Sequence, residues 1–205
     1  MNRSAYYGTL ALKAREVRRE CDVIGPRLPL STMRRIFKHF GIRVDYRALK
    51  TLRGAYFGGT EPSVLIAKAL PDEPKIFTLG HELKHHFFDG DVDCHTLETD
   101  DVIEIGAEVF GAELLFPEKD FCQWCTKVGL AVGSGTPEQL VSLKRETQTT
   151  LSYAGLAKRS IRLGYLDPGV AKTQWKKLEE KLYGEPAYKR IRRRTQAKAR
   201  FTNSS

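Results

Sequence analysis

Residues 81–85 read His81-Glu82-Leu83-Lys84-His85, two imidazoles four positions apart with a carboxylate beside the first. On a helix, positions i and i+4 share one face, so both rings can reach a single ion. Glu82 stands about 100° round from His81, close enough to act as general base on a water held at that ion. A catalytic zinc centre of this type has three protein ligands and keeps one position open. A third donor is therefore expected further along the chain.

Residues 101–116 supply candidates. Ile103, Ala107, Phe110 and Leu114 form one apolar helical stripe, and Glu104 and Glu108 lie one turn apart on the same helix. From His85 to Glu104 there are 18 intervening residues, room for a turn and a loop between antiparallel helices. Only one carboxylate can be the ligand if a position stays open. The other can hydrogen-bond a ligating imidazole from behind.

Other candidates carry less. His86 is rotated off the ligand face by one residue, and His39 falls among Ile36, Phe37 and Phe40 of an amphipathic helix, so packed or surface roles are expected for both. Cys122-Gln-Trp-Cys125 is a lone C-x-x-C, and Cys94-His95 is a loop pair. Structural zinc sites usually need two such clusters, so ordinary buried thiols are preferred. Asp89-Gly90-Asp91-Val92-Asp93 has Cys94 where a calcium loop needs its turn glycine, and calcium is disfavoured. The sequence assigns no oxyanion donor: Tyr56, Tyr153 and Tyr165 could serve, but core packing is the commoner role for such tyrosines.

The positioning elements follow from pattern. Helices are expected over 8–20 and 32–40, the second capped by Ser31 and ended by Gly41. Strands are expected at 42–46, 53–58 and 63–70, the strongest being Ser63-Val64-Leu65-Ile66-Ala67. Pro71 and Pro74 close that run before the His81 helix, and Pro117 stops the helix carrying Glu104. An extended substrate is expected to pair along the edge of Ser63–Ala67. After a glycine-rich stretch from Gly129 to Gly135, Thr136-Pro137-Glu138 opens a helix, with another near 152–163. These two form either a helix-turn-helix or a plain helical hairpin. Trp175, Leu178 and Leu182 mark one last packed helix.

A length of 205 residues suits one compact domain plus an appendage. We expect a zincin-like domain over 1–128, a helical segment over 136–183 and a basic tail over 184–205. No apolar run approaches the roughly 18 residues of a membrane span. No secretory h-region is evident at the amino terminus, and four cysteines do not make a disulfide framework, so a cytoplasmic protein without a membrane partner is expected. The net charge of +9 is concentrated in 13–53 and 172–200, while 89–104 is acidic. Such basic segments suit contact with DNA phosphates.

The segment Phe77-Thr78-Leu79-Gly80-His81-Glu82-Leu83, followed by Ile103-Glu104-Ile105-Gly106-Ala107-Glu108-Val109-Phe110-Gly111-Ala112-Glu113-Leu114-Leu115-Phe116-Pro117, resembles the ImmA/IrrE metallopeptidases. The likeness covers roughly residues 28–120. It implies an α+β fold with a small mixed or antiparallel sheet, zinc (or manganese) on His81, His85 and Glu104, and Glu82 as general base. It further implies an endopeptidase that cleaves a helix-turn-helix transcriptional repressor. The alternative is a non-proteolytic regulator that binds DNA or a repressor on the same scaffold. The chain departs from the family pattern at Lys84, where glycine is usual, at Glu108, where asparagine or aspartate is common, and at Phe116, where methionine is usual. Lys84 is expected to extend its amine to solvent.

Overall fold

The computed structural model describes residues 2–89 and 101–184. The acidic segment from Gly90 to Asp100, with Cys94-His95, and the basic tail from residue 185 lie outside the described residues. Among those described are eight α-helices and a three-stranded mixed sheet, so the fold is α+β. They form two compact units. The first runs to Gln123 and includes Thr147–Ser152; the second comprises Trp124–Glu146 and the chain from Tyr153.

In the first unit, α1 (Arg3–Glu20) and α2 (Leu30–His39) precede β1 (Arg43–Arg47), β2 (Gly54–Phe57) and β3 (Ser63–Ala67). The sheet order is β1-β3-β2, with β1 parallel and β2 antiparallel to β3. Sequence order alone would not have placed β3 in the middle. Because β3 is paired on both sides, it has no edge to offer, and the expected pairing of substrate with Ser63–Ala67 is incorrect. The outer strands are β1 and β2.

The helix with the histidines, α3 (Asp72–Phe88), follows β3 directly. Pro74 sits in its first turn, where a missing N–H breaks no helical bond, and Asp72 and Glu73 complement the helix dipole there. Its apolar side, with Ile76, Leu79 and Leu83, joins Val64, Ile66 and Tyr56 of the sheet in one core. The next helix, α4 (Asp101–Leu115), packs against both α1 and α3. Ala107, Phe110 and Leu114 are fully buried, as the stripe predicts.

The crossing of α3 and α4 is set by two glycines. A methyl group on Gly80 would stand 3.3 Å from the Cα of Gly111, and one on Gly111 would stand 3.4 Å from the His81 nitrogen. With no Cβ at either site, the backbones approach closely beside His81. Across α1, the buried Arg18 guanidinium donates to the Leu114 carbonyl at 2.7 Å and the Gly25 carbonyl at 2.6 Å. Arg15 donates to Glu113 at 2.8 Å, and the other Glu113 oxygen accepts the N–H of Glu118, the first residue of α5 (Glu118–Lys127). Pro117 separates α4 from α5. The sequence reading missed α5, since its C-x-x-C drew attention to ligand chemistry rather than to helical spacing.

The second unit holds α6 (Pro137–Thr147, all but its last residue), α7 (Tyr153–Arg162), a 3-10 turn at Pro168–Lys172 and α8 (Trp175–Tyr183). Thr136 and Gln139 cap α6 reciprocally: the Gln139 N–H donates to Thr136 Oγ1, and the Thr136 N–H donates to Gln139 Oε1. Tyr153 stacks on Trp175 with centroids 5.7 Å apart and planes 7° from parallel. Arg145 meets the buried Glu179 at 3.5 Å. Leu182, expected on the packed side of α8, is exposed.

Candidate metal centre

His81 and His85 project from one face of α3 and meet Glu104 from the first turn of α4. His81 Nε2 lies 3.2 Å from Glu104 Oε2, and His85 Nε2 lies 3.8 Å from Glu104 Oε1. One ligand atom from each residue can be chosen so that all lie within 4.8 Å of one another. Zinc takes imidazole nitrogen and carboxylate oxygen at about 2.0–2.2 Å, so small side-chain rotations bring all three onto one ion. Two histidines and a glutamate are a donor set for a catalytic metal, and the residues fit the group the motif implies. Glu108 contributes negative charge at His81 but is not part of this cluster.

The electrostatics fit an acid–base site. Burial works against protonation of His81, yet the Glu104 hydrogen bond and the charges of Glu82, Glu104 and Glu108 outweigh it and raise its pKa. Glu104 is held below the ordinary carboxylate value, chiefly by its hydrogen bond to His81. Glu82 is buried, and desolvation raises its pKa against the lowering pull of His81, His85 and a hydrogen bond from the Tyr56 backbone. That bond ties the candidate base to β2. Gly54 of β2 also lies against Glu82: a Cβ there would stand 2.9 Å from Glu82 Oε1 and 2.6 Å from Thr78 Cγ2.

Lys84 contradicts expectation. Its side chain is fully buried, and Nζ meets Asp89 Oδ2 at 2.6 Å. The same oxygen lies 2.8 Å from His85 Nδ1. Solvent was the default for a lysine with no visible partner, but Asp89, just past the end of α3, supplies one at burial depth. Asp89 was considered only as part of an acidic loop. Its spacing from His85, i to i+4, was the available signal.

The remaining candidates separate. The Tyr56 hydroxyl and His86 Nδ1 are hydrogen-bonded at 3.1 Å, so this hydroxyl is engaged with His86, and burial lowers the His86 pKa. Tyr153 and Tyr165 belong to the second unit. His39 packs edge-on to Phe40 and lies 3.9 Å from Glu20, a surface histidine as expected. Cys125 is buried within α5.

A mixed sheet backed by a helix with two histidines and a glutamate, and crossed by a second helix that brings another carboxylate, is an arrangement suited to metal-dependent peptide hydrolysis. Residues 37–124 match the family model of the IrrE N-terminal-like domain, Peptidase_M78, so this segment is similar to the ImmA/IrrE-type peptidases. Comparison with curated proteins gave no match. Among the described residues, no helix is long and apolar enough to cross a membrane.

Proposed function

We propose that this protein is a zinc-dependent endopeptidase that cleaves a helix-turn-helix transcriptional repressor, with manganese as the alternative metal. The observation that carries the reading is the convergence of His81, His85 and Glu104 beside the buried Glu82. Zinc bound by those three side chains would polarise a peptide carbonyl and acidify water.

The chain's own residues supply the rest. Glu82 takes the proton of the attacking water on its carboxylate and delivers it to the leaving amine. Burial suits it to both tasks, because a raised pKa lets the same carboxyl hold the proton between the two transfers. Tyr56 N–H and Gly54 orient that carboxylate from β2. As an outer strand beside Glu82, β2 offers the edge on which an extended substrate segment can pair. The repressor as substrate follows from the family resemblance, and the basic segments suit a target bound to DNA.

Purified helix-turn-helix repressors from the same genome, incubated with the zinc-loaded protein and followed by intact-mass spectrometry, test the reading. A single internal cleavage by wild type, lost in Glu82→Gln with metal content retained, is expected. Equal cleavage by Glu82→Gln would remove the general-base assignment. Repressor binding without cleavage by wild type would favour a non-proteolytic regulator.

A further inference from the structure

The departure at Lys84 leads to the metal ligand next to it. An ionised carboxylate only accepts hydrogen bonds, so the 2.8 Å contact from His85 Nδ1 to Asp89 Oδ2 requires the proton on Nδ1. The lone pair then lies on Nε2, the nitrogen that faces Glu104. Asp89 is itself held: Lys84, with no exposed side-chain surface, reaches the same Oδ2 at 2.6 Å. A buried ammonium is retained only with a partner of this kind, so the pair has one pose rather than many. Asp89 also fixes the end of α3, where its N–H donates to the His85 carbonyl at 2.9 Å. One residue thus holds His85 by backbone and by ring.

We propose that Asp89 is a positioning residue for the metal centre: it sets the tautomer and ring plane of His85, and Lys84 is the buried counter-charge that offsets its carboxylate there. The inference deepens the metallopeptidase reading and rests on it. Carboxylates behind ligating histidines fix ring orientation, and their loss typically weakens metal binding about 10–100-fold. The distinctive part is the buried lysine. It occupies the helix position between Leu83 and His85, where its stem is enclosed and only Asp89 is reached by its amine among the contacts of the described residues.

Removing one charge alone would strand the other in the interior, so paired variants separate positioning from folding. Lys84→Met with Asp89→Leu removes both charges and the acceptor. Lys84→Met with Asp89→Asn removes both charges but keeps an oxygen for the Nδ1–H. Long-range proton–nitrogen NMR of the metal-free full-length protein reads the His85 tautomer, and competition with a chromogenic chelator reads zinc affinity. The Nδ1–H tautomer is expected in wild type. The Leu variant should lose that preference and bind zinc about 10–100-fold more weakly, and the Asn variant should recover most of both.

An Nε2–H tautomer in wild type overturns the proposal. So does equal weakening in both paired variants, which would assign the effect to packing. If wild type shows the Nδ1–H tautomer yet binds no zinc, the metal-centre reading fails while the positioning of His85 by Asp89 stands.

Discussion

The backbone N–H of Tyr56 donates to the carboxylate of Glu82, so the candidate base is aimed from the sheet as well as from its own helix. Gly54, two residues earlier on the same strand, leaves the space that carboxylate occupies. Gly54→Val would put carbon where Glu82 Oε1 and Thr78 Cγ2 now lie. Displacements of about 1 Å at a catalytic group can cost about 100-fold. We predict a loss of that order in kcat with metal content unchanged, checked by steady-state cleavage alongside elemental analysis.

Glu104 and Glu108 are one turn apart but not equivalent. Glu104 is shared between both histidines, whereas Glu108 acts on His81 through charge. Glu104→Ala should therefore lower bound zinc far more than Glu108→Ala, measured on proteins prepared side by side. The reverse order would exchange their roles.

The metal-free protein should show a bounded pH window of stability. The folded pKa of His81 is raised, so its contribution is fully present below the ordinary imidazole value of 6.5 and is lost as pH rises through the higher folded value. That of Glu104 is lowered, so its contribution is present above the ordinary 4.5 and is lost as pH falls through the lower folded value. Glu82, raised by burial, instead disfavours the fold as it ionises. Urea midpoints measured against pH should show the alkaline loss attributable to His81 in wild type, and His81→Ala should lack that component.

Phe110 is fully buried on α4 and approaches Phe87 of α3 at 6.1 Å between ring centroids. Phe110→Ala should cost about 3–5 kcal/mol in the first unit, the range for deleting a buried aromatic ring. Denaturant unfolding followed by far-ultraviolet circular dichroism, wild type against variant, checks this.

What the sequence made legible was local. The i, i+4 spacing of His81 and His85, the apolar stripe around Phe110 and the stop at Pro117 each depend on neighbours within a few turns, and each agrees with the fold. The position of β3 between β1 and β2 depends on a crossover that strand propensity does not encode. The burial of Lys84 was illegible for a related reason: it depends on how the chain leaves α3, where Asp89 turns back toward the helix. Gly54 falls within the expected strand 53–58, and only the packing of α3 on β2 shows why a side chain there would disturb Glu82.

The most direct test of the central claim is the metal content of the purified full-length protein, wild type against His81→Ala, by elemental analysis. We predict about one equivalent of zinc in wild type, the stoichiometry of a single catalytic centre, and its loss in the variant. Wild-type protein that holds no metal even after zinc is supplied would contradict the account.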